Sequence, residues 1–251
     1  NLNGATVKIT NYKAGDQLLF TPTAGISISG TATGVVDTNV TPNTLTLTLT
    51  GADTVEAYEA ALRSIRFNNT SDNPDATTRT IQWNVTDVSA DASTAQSLAS
   101  AGTSSVTIAA VNDAPVLTGG GNTIQFSEGD AAVVLDNGIL LSDTEGSAVT
   151  SITVNLAGDG VAITNGEVLE FDANANAKVE GTLTNNNQTL TITQANNVTD
   201  AANSDFQALL RTVKYANTDT ATLDGNRTIT FRAVETVGTD NFTSANVVTT
   251  V

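Results

Sequence analysis

The chain of 251 residues has no cysteine, no histidine and no methionine, and only 4% of it is aromatic. Each gap removes a class of chemistry. Without His and Cys there is no Cys₂His₂ zinc site, no thiol nucleophile, no Ser-His-Asp triad and no disulfide framework. Positive charge is scarce as well: 10 Lys and Arg stand against 26 Asp and Glu, a formal charge of −16. Such a surface repels a nucleic-acid backbone, so nucleic acid is not an expected partner. No apolar run approaches the ~20 residues of a membrane-spanning helix, so no membrane insertion is expected. The missing methionine, with Asn1 in first place, leads us to expect a window cut from a longer polypeptide. What remains for metal chemistry is hard oxygen ligands, which suit calcium or magnesium.

What is present is Thr, Asn, Gly and short aliphatic runs. Thr is β-branched and favours strands, whereas Asn and Gly favour turns. An internal repeat orders them. Residues 58–72 (YEAALRSIRFNNTSD) realign with 206–220 (FQALLRTVKYANTDT) at an offset of 148, and 79–87 with 227–235 at the same offset. Residues 5–10 match 150–155 at an offset of 145, and 103–111 match 243–251 at 140. The drift places small insertions in loops, the clearest being the Ser/Ala-rich stretch 89–105. The chain therefore reads as two repeats, 1–111 and 112–251, with nothing in the first matching 112–145. The first repeat lacks its N-terminal strands.

Within each repeat the dominant period is two. TLTLTLT (44–50) and QTLTITQ (188–194) alternate Thr with aliphatics, as a strand with one buried face must. One segment departs from this. Val55, Tyr58, Leu62 and Ile65 fall at helical spacing, with Asp53 or Thr54 placed to cap the start, and Phe206, Leu209 and Leu210 repeat the pattern. The expected fold is all-β: two tandem Greek-key sandwiches of cadherin/immunoglobulin-like type, each with one short crossover helix. Trp83, Phe67, Phe20 and Leu62 are expected in one core, and Phe231, Tyr215, Phe171 and Leu210 in the other. The repeated Arg63, Arg79, Arg211 and Arg227 are expected to pair with local carboxylates.

Acidic residues gather around the repeat boundary. Asn112 and Asp113 precede Ala114-Pro115, where the proline holds Ala114 extended. Glu128 follows in FSEGD, Asp143 and Glu145 in LSDTEG, and Asp87 closes the strand WNVTD. Carboxylates converging at a sandwich pole repel one another unless a cation neutralises them, and calcium accepts 6–8 such oxygens.

The VNDAP linker, the acid-x-acid pair beyond the next strands and the block AALRSIRFNNTSDNPDATTRTI together resemble the cadherin-like tandem repeats of large bacterial surface adhesins. The resemblance covers nearly the whole chain. It implies calcium as the bound ion, with Asn112 and Asp113 as the linker motif and Asp143 and Glu145 as the acidic pair. It also implies roles for Glu128 near the first strand and Asp87 before the linker. The NDAP form is shorter than the full linker motif and the pair is Asp-x-Glu, so one or two ions are expected rather than three. The implied function is a structural extender, not an enzyme, in an extracellular or surface-anchored adhesin, partnered by neighbouring repeats of its own chain. Two alternatives stand beside it. One is an adhesion module gripping host or cell-surface glycans or proteins. The other is a subunit of an extracellular filament, in which the first repeat's missing strands come from a like subunit.

Overall fold

A computed structural model describes residues 1–87, 96–97, 102–127, 129–219 and 225–251. The chain divides into two units, Asn1–Val111 and Asn112–Val251, each with its own hydrophobic cluster. Among the described residues, unit 1 contains β1 (Leu2–Ile9), β2 (Asp16–Leu19), β3 (Ser27–Ser29), β4 (Val35–Asp37), β5 (Thr44–Asp53), α1 (Val55–Ser64), β6 (Arg66–Asn69), β7 (Arg79–Asp87), β8 (Gln96–Ser97) and β9 (Gly102–Val106). Unit 2 adds β10 (Val116–Thr118), β11 (Val133–Val134) and β12 (Leu140–Ser142) ahead of the shared pattern. That pattern then recurs as β13 (Ser151–Gly158), β14 (Glu167–Glu170), β15 (Val179–Thr184), β16 (Thr189–Gln194), α2 (Asn203–Leu210), β17 (Lys214–Asn217), β18 (Arg227–Val237), β19 (Asp240–Thr243) and β20 (Val247–Thr250).

The larger sheet of unit 1 runs β3-β5-β1-β7-β8, with β4 also on β5 and β9 also on β7; β2 and β6 form a second sheet. Unit 2 repeats the plan as β15-β16-β13-β18-β19 with β20 on β18, faced by β11-β17-β14 and the pair β10-β12. All named strand pairs are antiparallel, as the sequence led us to expect of an all-β sandwich. The period-two pattern explains the registers. In unit 1, Val7 lies between Leu47 and Trp83, and Ile9 between Leu45 and Ile81, so one face of three strands is apolar. A one-residue slip would turn all of it to water. The same rule sets Val154 between Leu190 and Phe231 in unit 2. One parallel contact stands apart: residues 121–124 run beside β20, with Ile124 N–H donating to Thr250 O at 2.8 Å and Gly121 N–H to Val248 O at 2.7 Å.

The expected crossover helices are α1 and α2. Each carries the chain from one sheet to the other, from β5 to β6 and from β16 to β17. Thr54 caps α1, its Oγ1 accepting from Ala57 N–H at 3.1 Å; Asp53 supports it by accepting from Thr54 N–H at 2.8 Å. Tyr58 and Ala61 are the buried face. The expected core aromatics do not all sink equally. Phe20, Tyr215 and Phe231 are buried, whereas Phe67, Trp83 and Phe171 are only partly covered.

Two of the four repeated arginines sit inside the units, each on a carboxylate. Arg79 Nε donates to Asp16 Oδ2 at 2.6 Å with both side chains fully buried. Arg227 forks onto Glu167, and the Tyr215 hydroxyl donates to the same carboxylate at 2.9 Å. The other two lie nearer the surface: Arg63 pairs with Glu59 at 2.5 Å, and Arg211 Nε donates to Ile139 O at 3.0 Å.

Candidate cation site at the N-terminal pole of unit 2

The site is built by register. Strand β10 pairs with β12 so that Val116 faces Ser142. The residues before Val116 therefore run beside those after Ser142. Asp113 N–H accordingly donates to Glu145 Oε2 at 3.2 Å. Pro115, between them and the strand, is buried and anchors this approach. Asp143 opens a turn closed by Gly146 N–H to Asp143 O at 3.3 Å, and Gly146 takes a φ of +77° that suits glycine. Ser147 N–H holds Asp143 Oδ1 at 2.9 Å.

A third acid enters from across the sheet. Strand β18 alternates buried and exposed residues, and Glu235, near its end, is on the buried side with 1% of its surface exposed. Asn112 Nδ2 donates to Glu235 Oε2 at 3.1 Å and to Asp113 O at 2.7 Å. Asn112 thus ties the linker motif to β18.

The electrostatics of this pole are incomplete. Asp143 Oδ2, Glu145 Oε1 and Glu235 Oε1 are all sealed from water and none has a hydrogen-bond partner. No ion pair of the described residues involves any of these three acids. An unsatisfied buried polar group costs about 1–3 kcal/mol, and more when charged. Three buried carboxylate oxygens thus stand without a hydrogen bond in the first part of unit 2 and at the end of β18. The acids are nevertheless spread out. No group of three acidic side chains among the described residues stands close enough together to hold a metal. The arrangement is two linked pairs, Asn112 with Glu235 and Asp113 with Glu145, with Asp143 beside the second in sequence.

The remaining sequence candidates fall elsewhere. Glu128 lies outside the described residues, as does most of the Ser/Ala-rich stretch 89–105, of which 102–105 belong to β9. Asp87 faces Leu2 and Gln96 at one end of β7, whereas the chain leaves unit 1 from β9, whose Val106 faces Arg79 at the other end. Eight residues of strand, about 26 Å, separate those ends. Asp87 and the end of β9 therefore lie at opposite ends of β7. The strand runs away from the exit. Its repeat partner, Glu235, is the acid that reaches Asn112. Sequence reasoning missed Glu235, although the 79–87 to 227–235 alignment already set it opposite Asp87.

No known protein-family profile matches the chain, and no curated protein is similar to it at a significant level. Among solved structures, it is similar to the wild-type C-terminal domain of the Streptococcus agalactiae AgI/II polypeptide BspA, at 10% identity and a TM-score of 0.24, over 99% of this chain and 85% of that one. A chain described as BspA_C_WT matches at 11% identity with the same TM-score and coverage. Among the described residues no helix is long and apolar enough to cross a membrane.

Proposed function

We propose that this chain is a pair of calcium-stiffened structural repeats from a large secreted or surface-anchored bacterial adhesin. The observation that carries the reading is Glu235: a carboxylate with 1% exposure, one oxygen on Asn112 and the other without any partner. Glu235, Asp143 and Glu145 would supply carboxylate oxygens, with Asn112 and Asp113 adding amide and carbonyl oxygens. Calcium suits this set better than magnesium, because it accepts flexible geometry and 6–8 oxygens. Like charges hold the acids apart until a cation draws them together. Binding then fixes residues 112–115 against β12 and β18, so the start of the unit becomes rigid. Rigidity at repeat boundaries is what an extender requires, and the repeat pattern of the sequence supports that role.

The test is calorimetric titration of the chelator-treated chain with CaCl₂. The expected result is saturable binding, in the 10⁻⁴–10⁻³ M range of extracellular calcium modules. At a hundredfold excess over Kd, calcium would add about 2.7 kcal/mol to the stability of the unit that binds it. Glu235→Gln, which keeps the shape and removes the charge, is expected to weaken binding at least tenfold with an unchanged circular dichroism spectrum. A flat titration and an unmoved melting curve would overturn the calcium reading.

A further inference from the structure

Strand β18 is paired along one edge by two separate strands. Residues 234–237 pair with β19 and residues 228–231 with β20. Between them the chain leaves the ladder, and Ser244 closes the gap. Its N–H donates to Ala233 O at 2.9 Å, and its Oγ accepts from Ala233 N–H at 2.9 Å. Along the other edge β13 pairs without a break, with Thr153 opposite Arg232 and Asn155 opposite Thr230. Strand β18 buries Ile229, Phe231 and Ala233, so Thr230, Arg232 and Val234 stand on the outer face of the sheet. Beside the interrupted ladder that face dips into a shallow pocket of about 330 Å³, lined by Thr153, Asn155, Thr230, Arg232, Val234 and Asn246.

The lining runs against the composition of the chain. Acids outnumber Lys and Arg by 26 to 10, yet no carboxylate is among the lining residues. Arg63, Arg79 and Arg227 each hold a carboxylate. Arg232 is exposed, and among the described residues its guanidinium has neither an ion pair nor a hydrogen bond. Asn155 Oδ1 accepts from Thr189 Oγ1 at 3.0 Å, which leaves its Nδ2 to donate outward. At the position aligned with Arg232, unit 1 has Asn84, so the guanidinium is particular to unit 2.

We propose that this pocket binds a pyranose carrying one carboxylate, an acidic sugar residue of a glycan. A guanidinium fork matches a carboxylate with two parallel hydrogen bonds. The backbone N–H groups of β13 and β18 are engaged in the ladder, so one cation alone faces the ligand. It balances a single carboxylate, but not a phosphate monoester of charge about −2. The hydroxyls of Thr153 and Thr230 and the amides of Asn155 and Asn246 can donate to and accept from ring hydroxyls. Val234 receives an apolar C–H face of the ring. The volume is at the low end of the roughly 300–1,000 Å³ of ligand pockets, which suits one sugar ring.

The full chain, labelled with nitrogen-15, would be titrated with D-glucuronate and with N-acetylneuraminate. Chelator is present throughout, so that the cation site plays no part. The expected result is saturable binding of at least one acid in the millimolar range, as a ligand of this size allows. It should shift the Arg232 Nε–H signal and the side-chain amide signals of Asn155 and Asn246. The acid that binds more tightly identifies a uronate or a sialate as the source of the carboxylate. D-Glucose, which has the ring of glucuronate without its charge, is expected to bind at least tenfold more weakly. Arg232→Gln, at an exposed position, is expected to weaken binding of the acid about tenfold and leave the melting curve unmoved. A flat titration with both acids at tens of millimolar overturns the proposal. So does equal binding of glucose, or unchanged binding by the Arg232→Gln chain. Displacement of the sugar by an equal concentration of inorganic phosphate also overturns it, because the pocket would then be a general anion site.

Discussion

At the scale of single residues, the most consequential groups are the charged ones inside. The two buried arginines were visible in the sequence as repeated positions, but their partners were not. Asp16 and Glu167 lie 63 and 60 residues away from them, on strands that only the fold brings alongside. Glu235 escaped for a related reason: a carboxylate on an alternating strand looks like a solvated end until the linker is seen to fold onto it. Glu167 also carries a pH signature. Burial pushes its carboxyl up, but the Arg227 guanidinium, Thr164 N–H and the Tyr215 hydroxyl outweigh this, and the group ends below its ordinary value. The unfolded chain therefore holds that proton more tightly. The stabilisation is complete above the unfolded carboxyl's value of about 4.3 and drains away as pH falls through the lower folded value. Glu167→Gln is expected to flatten this acid limb. It is also expected to destabilise unit 2 by about 3–5 kcal/mol at neutral pH, because Arg227 loses its counter-charge while buried. Denaturant unfolding across pH 3–7 measures both.

At the scale of elements, period-two and helical spacings located the long alternating strands β5, β7, β16 and β18 and both helices. They could do so because one face of each must be apolar whatever the rest of the chain does. The helix caps illustrate the limit. Thr54 was visible as a cap for α1, and Asp53 turned out to support it. For α2 the N-cap position is Ala202, and Asp205 Oδ2 accepts from Ala202 N–H at 2.8 Å without a side chain to answer it. Ala202→Ser would supply that missing half at an exposed position. It is expected to stabilise unit 2 by about 0.5–1 kcal/mol, read as a shift of the denaturation midpoint with unchanged slope.

At the scale of the whole molecule, the excess of acid over base has a partial location: three of the acids are shielded at one pole of unit 2 and lack a counter-charge. Two separate cores should melt separately. Heating is expected to give two transitions, and only the one belonging to unit 1 should move Trp83 emission. Calcium is expected to raise the other transition alone, by several degrees. A calorimetric scan with fluorescence detection distinguishes them, and a shift of the tryptophan-reported step would contradict the placement of the site in unit 2.

The parallel contact between residues 121–124 and β20 has a mechanical meaning. These segments lie near the two ends of unit 2, and they point the same way. Tension applied at Asn112 and Val251 pulls one backward and the other forward along their shared line of hydrogen bonds. The bonds from Gly121, Ile124 and Thr250 are then loaded together, in shear. An antiparallel pair pulled from adjoining ends would instead open one bond at a time, at far lower force. Unit 2 is therefore wired to resist stretching along its own chain direction, through a few backbone bonds and no covalent cross-link.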